Sequence, residues 1–305
     1  MELTHPLMPW PARSLSGLVL EKCSLAEVHL ESCYALPAHD VAKAAEHGDA
    51  DEQAGSSSSS SSRSASESAA VELLASRLPH IFEQSACPPG ACQMMWGIPL
   101  ADESASRDAL LAAFLGAREW EVDRAESFLI ETLAWRRENS VGEDVEEQSE
   151  PELFPKDMVR TITQKDADGQ PQTFVVIKLG TITKEALHRV DDFVAWRVRE
   201  QERACFHLGK TEHWVASPKG PKYTLVLDTA GMRPFHLGSD SRAALAKLTH
   251  VFTHYYPDFI GATRVVNAPW FVTATWSAVS RFMPAWWGVS LGTMDELEAQ
   301  PGWSS

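Results

Sequence analysis

The sequence is short of basic charge. Lys and Arg number 27 against 42 Asp and Glu in 305 residues, a formal net charge of −15. A general nucleic-acid binder needs a basic face to neutralise phosphates, so no nucleic-acid partner is expected. The same balance disfavours permanent docking on anionic membranes, although a local basic patch would still permit brief contact. No apolar run reaches the roughly 20 residues that span a bilayer. The nearest, residues 271–291, is broken by Arg281 and Pro284. No basic segment precedes an apolar core at the N-terminus, so no secretory signal is expected. The five cysteines, Cys23, Cys33, Cys87, Cys92 and Cys205, are odd in number and fit no disulfide framework. Cys87 and Cys92 have no second Cys/His pair at zinc spacing. Free thiols in a reducing cytosol are the expectation, with no metal centre. No nucleophile-elbow sequence G-x-S-x-G occurs, so no catalytic residue and no enzymatic activity are expected.

What is present is a chain of uneven character. Its apolar fraction of 44% is ordinary for a globular protein of this length. Residues 1–70 read as a disordered arm, because the acidic start and serine run of 49–68 bury nothing to offset their ordering entropy. From Ala70 the pattern turns helical, with a candidate at Val71–Phe82 and an apolar plug at Met94–Leu100. Asp102 and Ser106 are candidate N-caps for a helix over Asp108–Gly116. Ala125, Phe128, Leu129 and Thr132 share one face of a helix over Val122–Glu138. Thus 71–140 read as a helical domain and 141–151 as an acidic linker.

The second half alternates strand and helix. Thr173–Leu179, Tyr223–Asp228 and Thr263–Asn267 read as buried strands. Lys184–Arg203, Ser241–Tyr255 and Phe271–Phe282 read as helices. Buried runs alternating with helices imply crossover connections and a largely parallel sheet, an α/β fold. One decoy lies among them. Ala204–Thr211 fits a loose phosphate-loop pattern, and Asp228-Thr229-Ala230-Gly231 a GTPase-like turn. A nucleotide triphosphatase would use Lys210, Thr211 and Asp228. A phosphate loop must follow a strand and open a helix, whereas a helix precedes this one.

The order of several short motifs resembles the CRAL-TRIO family. Phe114-Leu115-Gly116-Ala117-Arg118-Glu119-Trp120 is similar to a signature of its N-terminal helical domain, and Trp135-Arg136-Arg137-Glu138 to the close of that domain. Met95-Trp96-Gly97-Ile98-Pro99-Leu100 resembles a lead-in seen in several members. Tyr256-Pro257-Asp258 stands where the family has Tyr-Pro-Glu, and Val266-Asn267-Ala268-Pro269-Trp270 is similar to its Ile-Asn-Ala-Pro. Asp191–Arg197 further resembles a fungal branch of phosphatidylinositol transfer proteins.

The resemblance implies a mixed, largely parallel sheet behind a helical layer, with a gated hydrophobic pocket for lipid within 151–291. Val175, Ile177, Leu225, Leu227, Val265, Phe271, Trp276, Phe282 and Met283 are the candidate lining, and Phe271–Val289 the gate. Trp286 and Trp287 would enter the membrane interface during exchange. Arg118 and Asp258 are the candidate headgroup contacts, while the position of a family lysine falls near uncharged Ser290. The family also continues past the gate with a final strand, which 292–305 do not resemble, so a truncated end is expected. Some fungal relatives hold haem near the central strand. Here Leu227, Asp228 and Thr229 stand there, leaving His207, His213, His236, His250 and His254 as distant alternatives. The implied protein is a cytoplasmic monomer without cofactor, which binds a phospholipid and touches membranes transiently, the endoplasmic reticulum among them. A lipid-sensing scaffold without transfer is the remaining alternative.

Overall fold

Ser64 ends the serine run by starting a helix. Its side chain accepts from the Glu67 backbone N–H, and Glu67 accepts from the Ser64 N–H in return, a reciprocal cap. The expected arm therefore gives way to structure earlier than residue 70. The computed structural model describes residues 63–142, 153–154, 157–165, 169, 171–211, 214–215, 220–279 and 289–293. They belong to one unit, Ser62–Ser305.

The first layer is helical. Helix α1 spans Ala65–Ser76 and α2 spans Leu78–Gln84, so the single expected helix is broken at Arg77 by Pro79 near the start of the second. A two-residue hairpin, β1 Met94–Met95 and β2 Ile98–Pro99, carries the apolar plug into the core. Helix α3 spans Ala105–Gly116 with Ser104 as N-cap, rather than Asp102 or Ser106. Helix α4 covers Val122–Glu138, as its periodicity predicts.

The second layer is a five-stranded sheet in the order β3-β4-β5-β6-β7. Its strands are β3 Val159–Lys165, β4 Pro171–Lys178, β5 Tyr223–Asp228, β6 Ile260–Val266 and β7 Val289–Leu291. Strand β3 is antiparallel to β4, and the other neighbours are parallel. Between β4 and β5 run α5 Lys184–His188 and α6 Val190–Gly209, split at Arg189 where one helix was expected. Helix α7 Ser239–Tyr255 joins β5 to β6, and α8 Trp270–Val279 follows β6.

One expectation is corrected here. Cys87 and Cys92 form a disulfide. Pro88-Pro89-Gly90, with Gly90 at a φ of 110°, folds the chain back so that the two Cα atoms lie 5.5 Å apart. Cys205 is a buried thiol. Cys23 and Cys33 lie outside the described residues. Strand β7 forms the described sheet edge beside β6.

Candidate functional site

In a sheet, neighbouring residues point to opposite faces, and paired residues in adjacent strands share a face. One set of rows is Val175–Leu225–Thr263 and Ile177–Leu227–Val265. Val175, Ile177 and Leu225 belong to the main core, together with Phe193, Trp196 and Val198 of α6 and Leu248 and Val251 of α7. Leu227 packs against that core, and Val265 is buried on the same face.

Three of the residues named from the sequence as pocket lining thus lie in the main core. The strand residues chosen from the sequence are the ones that hold helices. A continuously apolar strand alternates between two equally apolar faces, and nothing local marks which face the helices take. The opposite face carries Phe174, Val176, Val226 and Val266, which form a second, separate buried cluster. Ile162 of β3 packs against them. Phe271 is half-buried near the start of α8, while Trp276 lies in α8 with its side chain undescribed. Phe282 and Met283 lie outside the described residues, as do Trp286 and Trp287 and most of the expected gate.

One row of this opposite face runs Arg160–Val176–Val226–Arg264–Ser290. It places a guanidinium on each side of two buried valines. Arg264 donates to Ser290 Oγ at 2.7 Å. At the end of the face, Asp228 Oδ1 accepts from the Ala230 N–H and from Asn267 Nδ2, both at 2.9 Å.

The two expected headgroup residues have other partners. Arg118 lies over the Phe128 ring, 3.6 Å from its centroid, and donates to Ala117 O at 2.8 Å. Burial pushes its guanidinium pKa down. Asp258 Oδ2 accepts from Lys222 Nζ at 2.5 Å, and its Oδ1 is buried without a partner. No hydrogen bond or ion pair joins Arg118 to Asp258.

A buried polar cluster went unread in the sequence. Arg136 of α4 grips Glu202 of α6 with two hydrogen bonds of 2.8 Å, and the side chains are 7% and 2% exposed. Trp96 Nε1 and the Tyr256 hydroxyl also donate to Glu202, at 3.0 and 2.7 Å. Burial and the nearby Glu202 carboxylate push the Tyr256 hydroxyl pKa far up, so it stays protonated and donating. Trp135 stacks on Tyr255 at 4.5 Å. Trp96, Trp135, Arg136 and Tyr256 come from three separate quoted motifs, and with Glu202 they tie the helical layer to the sheet layer. The signal was in plain view, since Trp-Gly, Trp-Arg and Tyr-Tyr-Pro were each conspicuous. Their meeting point, 66 residues apart in the Arg136–Glu202 pair, was not.

Residues 156–286 match the model of the CRAL/TRIO domain. Over these residues the chain is similar to a CRAL/TRIO domain. It is similar to "Phosphatidylinositol transfer protein sfh5" of Aspergillus oryzae, 27% identical over 238 residues that cover 71% of this chain and 48% of the relative. Patellin-2 of Arabidopsis thaliana is 26% identical over 183 residues, covering 58% of this chain and 25% of the relative. "Protein real-time" of Drosophila melanogaster is 25% identical over 173 residues, covering 56% and 26%. The chain thus spans about a quarter to a half of the length of these curated relatives. The crystal structure of Sfh5 superposes with a TM-score of 0.62 at 20% identity, covering 78% of this chain and 83% of that chain. This likeness shows the fold.

Within the matched residues the phosphate-loop reading fails. Gly209 is the last residue of α6, so Lys210 and Thr211 sit at the negative end of a helix dipole. Gly209 has a packing reason, because a Cβ there would lie 2.5 Å from Trp96 O. Helix α6 runs back along the sheet, which puts Lys210 near the opposite end of β5 from Asp228. The His250 and His254 rings lie 4.1 Å apart between centroids on α7, tilted by 33°. Among the described residues, no group of three His, Cys, Asp or Glu side chains is placed to hold a metal ion. Among them, too, no helix is long and apolar enough to cross a membrane.

Proposed function

We propose that this protein binds a phospholipid on the sheet face opposite α6 and α7 and exchanges it with membranes, with phosphatidylinositol or a related lipid as the ligand. The observation that carries this reading is the second apolar cluster, Phe174, Val176, Val226 and Val266, set apart from the main core within the residues similar to a CRAL/TRIO domain. A domain gains most by burying one face of its sheet under helices. A second apolar face of this kind suits a chain-like apolar guest. Each methylene of that guest contributes about 0.8 kcal/mol on leaving water, so two acyl chains supply ample gross affinity. The similarity to a protein named for phosphatidylinositol transfer supports the choice of lipid. Trp270, 81% exposed at the start of α8, suits a membrane interface, where an indole meets both lipid and water. The reading carries a cytoplasmic location with brief membrane contact.

Transfer of labelled phosphatidylinositol from donor to acceptor vesicles tests it. The expected result is transfer that scales with protein concentration. Protein that neither extracts nor moves any phospholipid sinks the reading.

A further inference from the structure

The opposite sheet face holds a second feature that an apolar guest alone does not explain. In the row Arg160–Val176–Val226–Arg264–Ser290, two exposed guanidinium groups flank an apolar strip. With three inter-strand steps between them, their Cα atoms stand about 14 Å apart, too far to share one small anion easily. Neither forms an ion pair with a carboxylate among the described residues, in a chain with 42 acidic residues. The Asp228 carboxylate at the end of the face is taken by the Ala230 N–H and Asn267 Nδ2. The other cation there, Lys178, pairs with Asp157 at 3.5 Å.

The two arginines differ. Arg264 is oriented, because its Nη1 donates to Ser290 Oγ at 2.7 Å. That oxygen accepts there, so the Ser290 O–H remains a donor beside the remaining guanidinium N–H groups. A planar fork plus a hydroxyl, at the border of an apolar strip, is a donor set suited to phosphate oxygens. We infer that Arg264, oriented by Ser290, holds the phosphate of an acyl-chain lipid whose chains lie along Val226, Val176 and Phe174. Arg160 lies across the strip and does not hold this phosphate. This inference rests on the lipid reading proposed above and adds the anchor residue and the charge it takes.

The test compares two lipids that share their acyl chains. Full-length wild type and R264Q are incubated with phosphatidylcholine vesicles doped with either phosphatidylinositol or diacylglycerol, then separated from the vesicles and extracted. Loss of a charge-assisted hydrogen bond predicts about tenfold less phosphatidylinositol on R264Q. Diacylglycerol uptake stays at the wild-type level. R264K, which keeps the charge and loses the fork, falls between, and R160Q stays near wild type. Inorganic phosphate added at excess leaves uptake unchanged if the site recognises lipid phosphate. Displacement of the lipid by inorganic phosphate would mark a free-anion site and overturn the inference. Equal phosphatidylinositol uptake by R264Q overturns it, as does a parallel loss of both lipids. Wild type that takes up diacylglycerol alone keeps the lipid reading and removes the phosphate anchor. Wild type that takes up neither lipid removes both. Circular dichroism of each variant separates lost binding from lost folding.

Discussion

On one face of the sheet, Val175, Ile177, Tyr223 and Leu225 meet α6 and α7 in the main core. On the other, Phe174, Val176, Val226 and Val266 form a smaller cluster bordered by Arg160 and Arg264. The residue types are nearly the same, valine beside leucine or isoleucine, yet the surroundings differ. The helix-packed face is continuous with a buried polar clamp and with aromatic rings from both layers. The second face has cations at its sides. Apolar character alone says that a surface is buried. Continuity with the main core, and the charges at the border, distinguish the two faces.

The sharpest way to break the comparison is through the clamp. Replacing Glu202 with Ala leaves the Arg136 guanidinium buried and unpaired, together with the Trp96 and Tyr256 donors. The expected loss is about 3–5 kcal/mol in urea unfolding. Lipid bound per folded molecule should not change. A Glu202→Ala protein of wild-type stability would show that the clamp does not hold the two layers together.

Next comes a matched pair on β5. Leu225→Ala opens a cavity in the main core and should cost about 2–5 kcal/mol whether or not lipid is present. Val226→Thr keeps the shape but adds a hydroxyl to the opposite face, at a cost of about 1–3 kcal/mol. The contrast lies in the ligand dependence. Lipid should raise the Tm of Leu225→Ala as it does wild type, and raise that of Val226→Thr much less. Equal increments for both would erase the distinction between the faces.

The smallest effect concerns pH. Burial, and then the neighbouring His254, lower the His250 pKa below its ordinary 6.5. The unfolded chain therefore takes up the proton first, so stability falls as pH drops below 6.5 toward the folded pKa. Above 6.5 this contribution is fully present. His250→Gln should flatten that part of the pH–stability curve while leaving lipid uptake alone, because α7 packs on the helix-covered side. A pH profile identical to wild type would count against it.

Much of the fold was legible because local pattern and tertiary role agreed. Helix Val122–Glu138 and strand Tyr223–Asp228 have the bounds their periodicity and apolar run predict. Strand β3 was missed because Val159–Lys165 is an edge strand rich in Thr, Gln and charge, which reads as a linker. The break at Arg189 has no glycine or proline to announce it. The Cys87–Cys92 bridge depended on how Pro88-Pro89-Gly90 turns, which spacing alone does not fix. The candidate site was half legible. The strands were legible, but which of their faces meets α6 and α7 was not, since alternation defines two sets and only the helices choose between them. Ser290 drew notice for lacking a charge. The structure brings Arg264 of the neighbouring strand to its hydroxyl.

The central claim is that lipid lies on the face away from α6 and α7. A phospholipid with a photoreactive diazirine in its acyl chain, crosslinked to the loaded protein and mapped by peptide mass spectrometry, tests it most directly. The account predicts crosslinks on the peptides carrying Phe174 and Val176, Val226, and Val266, with none on the core-facing residues of α6 and α7. Crosslinks concentrated on Phe193, Trp196, Leu248 or Val251 would contradict it.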